Sequence, residues 1–143
     1  MLYPHYKTIK ERLTAQVPGL KTTEWFNNQY AGIIHAEPLA LIEFPDGMDI
    51  IGVTKSTYRT KFPVRIHVIS RAVSDADEVI GDDQLQAHDA LVNEVLTALR
   101  LWLPEANGVP LSTSLVHTRY QAVHEYKGWL VTWLTFTTKM VLL

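Results

Sequence analysis

The stretch that decides the fold is TSLVHTRYQAVHEYKGWLVTWLTFTTKM, residues 113–140. Lys127-Gly128 divides it into two runs of strand-forming residues, and the glycine supplies the positive φ that a two-residue hairpin turn requires. The stretch therefore predicts a long β-hairpin of residues 113–126 and 129–140. Counting back from the turn predicts the facing pairs Tyr126–Trp129, His124–Val131, Ala122–Trp133, Glu125–Leu130, Gln121–Leu134 and Arg119–Phe136.

Both faces of this predicted hairpin carry large apolar side chains, since tryptophans alternate with leucines and a phenylalanine along its second strand. One face is expected to cover the core of the protein. The other face needs cover as well, either from a helix of the same chain or from another subunit.

Three longer strand candidates precede the hairpin. Residues 38–44 are almost continuously apolar, which is typical of a central strand that is covered on both faces. Residues 48–60 are a second candidate, and residues 62–71 alternate in the way expected of a half-buried strand. A short strand at 22–26 and a turn at 27–29 are also predicted. The apolar positions of the two later candidates are Ile50, Ile51, Val53, Phe62, Val64, Ile66 and Val68.

Two helices are predicted, at residues 4–17 and roughly 84–103. Each carries apolar residues at spacings of three and four, which place them on one helix face. Asp83 is expected to cap the second helix, with Gln86 as its reciprocal partner. The apolar stripes are Leu2, Tyr6, Ile9, Leu13 and Val17 in the first case and Leu85, His88, Val92, Val95, Leu96, Leu99 and Trp102 in the second.

The order of elements is α-βββ-α-ββ, without βαβ alternation. It predicts an α+β fold, in which two long helices pack on a mainly antiparallel sheet. A chain of 143 residues, 47% of them hydrophobic, is expected to form a single domain over residues 1–143.

Composition excludes several classes of protein. With no cysteine, the chain has no disulfide scaffold, no thiolate metal site and no cysteine nucleophile. A net charge of −2 offers no argument for binding nucleic acid or an anionic membrane. The first residues lack the apolar segment of a secretory signal, so we expect a cytosolic product.

Local signatures of chemistry are missing. The six histidines form no zinc-binding spacing, and the acidic segment 75–86 departs from the calcium-binding loop pattern at three positions. The glycines form no phosphate-binding motif, and no nucleophile motif is present. We therefore predict no catalytic residue, no metal and no cofactor, and we expect His88 to be a core or boundary histidine with its hydrogen bonds satisfied.

One alternative stays open at this point. Paired carboxylates or an acid and a histidine can converge in space without any sequence motif, and Glu43 is an acid within an apolar strand. The alternative prediction is therefore a small-molecule-binding or enzymatic α+β domain that uses Glu43 and a nearby histidine; a host adaptor or regulatory domain is a third. The competing interpretation of Glu43 is an ion pair near a strand end.

Charged residues indicate a candidate subunit interface. Basic residues occur on adjacent predicted strands, and an acidic loop follows them, so the basic residues of one subunit are expected to meet the acidic loop of the next. The competing interpretations are a charged sheet edge that prevents aggregation and a solvated loop. With the two tryptophans of the last strand, the candidate residues are Arg59, Lys61, Arg65, Arg71, Asp75, Asp77, Glu78, Trp129 and Trp133.

Taken in order, these elements form a pattern across most of the chain: a helix ending at Val17-Pro18-Gly19, the strand at 38–44, the segment FPVRIHVIS at 62–70, a helix through His88 to Trp102, and the final hairpin. The pattern resembles the tail-terminator and tail-completion proteins of long-tailed phages and prophages. The resemblance lies in size, element order and apolar pattern.

The resemblance implies a structural role. Proteins of that family form a ring, typically of six copies, that caps the tail tube and presents a surface for joining the head. It implies that the partners are further copies of the chain, the tail tube and head-completion proteins, with no enzymatic activity, cofactor, membrane or specific nucleic acid. It also implies assembly in the host cytoplasm, followed by incorporation into the virion tail.

Overall fold

A computed structural model describes residues 2–55 and 58–142 of the chain. Two long helices and a six-stranded sheet form the fold, which confirms the α+β prediction. A 3₁₀ turn, Gln29–Ala31, and a small two-stranded hairpin accompany them. The elements are α1 (Tyr3–Gln16), β1 (Thr22–Trp25), β2 (Leu39–Glu43), β3 (Asp49–Gly52), β4 (Tyr58–Arg71), α2 (Asp82–Leu99), β5 (Glu105–Ala106), β6 (Val109–Pro110), β7 (Val116–Val123) and β8 (Trp129–Leu142).

The sheet is built around one long antiparallel pair. β4 and β8 are paired from Tyr58–Leu142 to Arg71–Trp129, and the strand order is β1-β2-β4-β8-β7. β2 and β3 both pair with β4 in the antiparallel sense, so they follow each other along the same side of that strand. The short strand predicted at 22–26 is present as β1 and runs parallel to β2.

The predicted strand at 48–60 differs from the structure. β3 ends at Gly52, and β4 has already begun at Tyr58, so the predicted range contains parts of two strands. Residues 56 and 57 of that range lie outside the described residues. The apolar run 38–44, by contrast, is a central strand as predicted: β2 lies between β1 and β4, with its first four residues buried.

The main core lies between the two helices and one face of the sheet. The alternating residues of β4 point into it as predicted, beside Leu134 and Phe136 of β8. Of the stripe predicted on α2, Leu85 is exposed and Trp102 lies beyond the end of the helix, whereas Leu91 and Ala98 are buried. The helix starts two residues earlier and ends four residues earlier than the predicted range of roughly 84–103.

The opposite face of the sheet is covered by the chain itself. A second buried cluster is formed by Leu39, Leu41, Ile69, Val123 and Val131, and the segment 26–33 packs against it. The expectation that either a helix of the same chain or another subunit must cover this part of the hairpin is therefore wrong, since a largely irregular segment of the same chain covers it. Sequence periodicity did not reveal the cover, since segment 26–33 is an irregular connection with a single 3₁₀ turn.

The predicted hairpin register is wrong by one residue. Val123 pairs with Val131, and Gln121 pairs with Trp133, so the chain between β7 and β8 is a loop of residues 124–128. The predicted turn at Lys127-Gly128 does form, since the N–H of Trp129 donates to the carbonyl of Tyr126 at 3.2 Å. The ladder beyond the turn is offset because residues 124 and 125 lie between the turn and Val123, whereas Leu130 alone lies between the turn and Val131. A bulge between His117 and Arg119 shifts the lower part of the ladder further.

The predicted cap of α2 is also corrected. Gly81 occupies the N-cap position, and no side chain caps the helix. Asp82 and Asp83 lie in its first turn instead, near the positive end of the helix dipole. Gln84 holds the preceding loop, since its amide accepts from the N–H of Val73 at 2.7 Å and donates to the carbonyl of Val73 at 2.8 Å.

Within the described parts of the chain, no helix has both the length and the apolar character needed to cross a membrane.

Candidate interaction surfaces

The four basic interface candidates, predicted to form one patch across adjacent strands, all belong to β4 and lie at three separate places along it. Arg59 and Lys61 are exposed at one end of the strand, Arg65 lies in its middle, and Arg71 lies at its other end. At a rise of ~3.3 Å per residue, Arg59 and Arg71 are roughly 40 Å apart. Of these four residues, Arg59 and Lys61 are the two that lie close together and exposed.

Pairing of the strands adds a lysine to that site. Lys61 is opposite Lys139 of β8 on one side and opposite Asp49 of β3 on the other. Like charges directly opposite each other are unfavourable, so a negatively charged partner would stabilise this end of the sheet. Lys139 was missed in the sequence because it is far from Lys61 along the chain and comes next to it only when β8 pairs with β4.

The basic end also carries exposed apolar residues. Ile50 and Ile51 of β3 are 52% and 63% exposed, and Val53 beyond the strand is 49% exposed. Beside them lies a shallow groove of about 660 Å³, which Ile51, Arg59, Lys61 and Lys139 help to line. We call the residues Ile50, Ile51, Val53, Arg59, Lys61 and Lys139 the basic end of the sheet.

The acidic loop lies at the other end of β4 and β8. The Asp75 carboxylate accepts hydrogen bonds from the backbone N–H groups of Asp77 and Val79, at 2.8 and 3.0 Å, so Asp75 shapes the loop. Glu78 contacts Lys127 at 3.3 Å, and both side chains are exposed. Of the three predicted acidic residues, Asp77 has the carboxylate least engaged by the loop's own hydrogen bonds, since it takes part through its N–H.

Beside the acidic loop, a groove of about 570 Å³ lies between residues 72–85 and the turn between β7 and β8. Ile80, Leu85 and Leu130 give it an apolar lining, and Leu85 is 44% exposed there. Glu78 and Glu125 also line it, together with Lys127. We call this feature the end groove.

Both predicted interface tryptophans are half-buried within their own chain. Trp133 lies under the guanidinium of Arg65, 4.7 Å from it to the ring centroid, and Trp129 lies under that of Arg71 at 5.3 Å. Both guanidinium groups are thus engaged by aromatic rings of their own chain.

A polar network connects the middle of the sheet to the covering segment. Arg65 contacts Glu43 at 3.2 Å, and Nε2 of His67 is 3.5 Å from the other oxygen of the same carboxylate. The Tyr30 hydroxyl is 2.7 Å from Nδ1 of His67 and accepts a hydrogen bond from Nε1 of Trp133 at 3.0 Å. The hydroxyl oxygen of Tyr30 therefore joins the indole of Trp133 to the imidazole of His67.

Burial determines the charge state of this network. Desolvation, reinforced by the positive charge of Arg65, lowers the pKa of His67 to about 3, so the imidazole is neutral at neutral pH. Desolvation also raises the pKa of the Tyr30 hydroxyl. A neutral His67 is consistent with the 3.5 Å separation from Glu43, which is too long for a strong charged hydrogen bond.

The structure does bring Glu43 and a histidine together, as the enzymatic alternative requires. Yet His67 is only 1% exposed, and the ring of Phe26 stacks on it at a centroid distance of 4.4 Å. Tyr30 in turn stacks on Tyr126 at 3.8 Å. General acid–base chemistry needs a proton acceptor within reach of a substrate, and these rings enclose the imidazole. The arrangement is that of a structural network.

His88 has the satisfied boundary position predicted for it. Its Nδ1 lies 2.8 Å from the Ser70 hydroxyl and its Nε2 lies 2.9 Å from the Thr132 hydroxyl, so both ring nitrogens have partners. Burial lowers the pKa of this histidine, which favours the neutral ring. Among residues 2–55 and 58–142, no group of three or more histidine or acidic side chains is placed to hold a metal ion.

No protein-family model matches this sequence, and no curated protein matches it either. Among solved structures, the fold is similar to that of a chain in the virion of a native gene transfer agent (GTA) particle, with a TM-score of 0.61 and 16% sequence identity. The similarity covers 94% of this chain and 92% of that chain. The two chains therefore share one fold over nearly their whole lengths.

Proposed function

We propose that this protein is a structural component of a phage-like virion, and that it acts as a tail-terminator or head–tail joining protein that forms a ring on the tail tube. The observation that carries the proposal is the fold shared with a chain of a virion particle, which extends over 94% of this chain and 92% of that one. The order of the elements supports the finer role, because it resembles that of tail-terminator and tail-completion proteins.

The two ends of the long strand pair support a ring. One end presents Arg59, Lys61 and Lys139, and the other presents the acidic loop, so the ends of two copies are complementary in charge. A contact between different surfaces of identical copies is heterologous, and such contacts close into a ring when the rotation between copies allows it.

Charge alone does not hold such a ring together. Exposed ion pairs contribute about 0–1 kcal/mol each, so they orient the subunits more than they bind them. Most of the affinity must come from burial of apolar surface, at about 25 cal/mol per Å². Partners at the two faces of the ring are the tail tube and head-completion proteins, and assembly takes place in the host cytoplasm before incorporation into the virion tail.

The test is imaging of the purified protein by negative stain, alone and with assembled tail tubes, together with sedimentation at increasing salt. We expect closed rings of one diameter, free or at the end of a tube, whose dissociation increases with ionic strength. A protein that stays monomeric at every concentration and salt, and does not bind to tubes, contradicts the proposal.

A further inference from the structure

We propose that the ring contact is made by β3 of one copy bound in the end groove of the next copy, with Ile50 and Ile51 supplying the apolar contact. The inference rests on the proposed ring and names the surfaces that form it. It goes beyond the charged residues found in the sequence, because neither β3 nor the groove was among them.

The donor of this contact, β3 of one copy, is an edge strand with an unusual composition. β3 is exposed at all four of its positions, although two of them are isoleucines. Strand edges that face solvent are commonly protected by charge or proline, and exposed aliphatic residues at an edge mark a surface that another chain covers. The described part of the chain on either side of β3 does not cover Ile50, Ile51 or Val53, since all three stay about half exposed or more.

The receptor is a preformed apolar groove. Leu85 lies on the apolar stripe of α2, yet it is exposed because the stripe extends past the sheet into the end groove, where Ile80 and Leu130 flank it. The two hydrogen bonds between Gln84 and the backbone of Val73 hold the loop wall of the groove against α2. A volume of about 570 Å³ accommodates two or three aliphatic side chains and the backbone between them.

Charge favours the same pairing. Arg59 is opposite Ile51 of the donor, with Lys61 next to it on the same face, and Glu78 and Glu125 line the receptor, beside the acidic loop. Because the strand pair between them is roughly 40 Å long at ~3.3 Å per residue, the donor and receptor of one molecule do not meet. The donor of one copy can therefore bind only the receptor of another copy. Each copy in such a pair still has one free surface, so the same contact can add further copies.

The experiment uses the absence of cysteine from the native chain. Ile51→Cys and Leu85→Cys are made as separate variants, mixed under the conditions that give rings, and treated with a short bismaleimide. Ile34→Cys is the matched control, since Ile34 is 90% exposed and belongs to neither surface. We expect the Ile51→Cys and Leu85→Cys mixture to give at least tenfold more covalent dimer than Ile34→Cys mixed with Leu85→Cys.

The outcomes separate this inference from the proposed function. Rings in which the two mixtures cross-link equally would overturn the inference and leave the proposed function standing, with the end groove assigned to another ligand. A protein without rings and without the specific cross-link would overturn both. A second variant checks the energetics: Ile51→Asp is expected to weaken association about tenfold, with an unchanged circular dichroism spectrum, whereas Ile34→Asp leaves association unchanged.

Discussion

At the scale of single residues, the most consequential feature is the neutral histidine beneath segment 26–33. His67 is enclosed by Phe26 and Trp133, and its Nδ1 is hydrogen-bonded to the Tyr30 hydroxyl. Protonation of the ring would bury a positive charge and place it near Arg65. The packing of segment 26–33 on the sheet therefore depends on whether His67 is protonated.

A pH dependence of stability follows from His67. Its pKa is about 3 in the folded protein and about 6.5 in the unfolded chain, so between these values the unfolded chain binds a proton that the folded protein does not. The free energy of unfolding is therefore expected to fall as the pH is lowered from about 6.5 toward 3, by at most about 1.4 kcal/mol per pH unit from this group. His88, whose pKa is also lowered, acts in the same direction.

Urea unfolding between pH 4 and 7 measures this slope. In His67→Gln the slope is expected to decrease but not to vanish, because His88 still contributes. His124→Gln, at an exposed loop position, is the control and is expected to keep the native slope. An unchanged slope in His67→Gln would show that the histidine is protonated to the same extent in the folded and unfolded chains.

At the scale of elements, the loop between β7 and β8 depends on a left-handed residue. Gly128 has a φ of +88°, and no atom lies within 4 Å of the position that a Cβ would take. Gly128→Ala is therefore expected to lower the free energy of unfolding by about 1–2 kcal/mol through backbone strain alone. Gly47→Ala, which has equally open surroundings and no positive φ, is the matched control. Equal stability of the two variants in urea would contradict the assigned loop conformation.

The sequence predicted the elements whose residues carry a local period. The apolar run of β2 and the alternation of Phe62, Val64 and Ile66 reflect which positions of each strand are buried. Such patterns are visible within a few consecutive residues of the sequence. The helix α1 is also within one residue of its predicted ends. The α+β fold followed from the order of these elements.

What the sequence could not predict depends on distant pairing. The turn at Lys127-Gly128 was predicted, but the extra residue on the β7 side between that turn and the Val123–Val131 pair has no local sequence signal. Segment 26–33 covers the sheet through aromatic contacts that have no period. The meeting of Lys61 with Lys139, and of Glu43 with His67, likewise appears only once the strands are aligned.

At the scale of the whole molecule, the sheet is basic at one end of the β4–β8 pair and acidic at the other. Lys61→Glu is expected to weaken ring formation about two- to fivefold, as befits an exposed charge, and mixing it with Asp77→Lys is expected to restore part of the loss. Lys61→Glu replaces a like-charge pair with Lys139 by one with Asp49, so its net effect on the fold is expected to be small. Asp77→Lys keeps the backbone N–H that Asp75 accepts.

Lys7→Glu on the exposed surface of α1 carries the same change in net charge and is the control. Sedimentation equilibrium at low and high salt measures the association of each variant. Equal effects of Lys7→Glu and Lys61→Glu would mean that only the net charge matters, which would contradict a contact at the basic end.

The position of β8 in the sheet has a consequence for how the chain acquires its structure. β8 comes last among the described strands, but it lies between β4 and β7. Until residues 129–142 have been synthesised, β4 presents a bare hydrogen-bonding edge along its entire length, next to a half-formed core. Ribosome-bound chains are therefore most prone to mispair with one another before β8 has emerged, and the emergence of β8 is the step that closes the sheet.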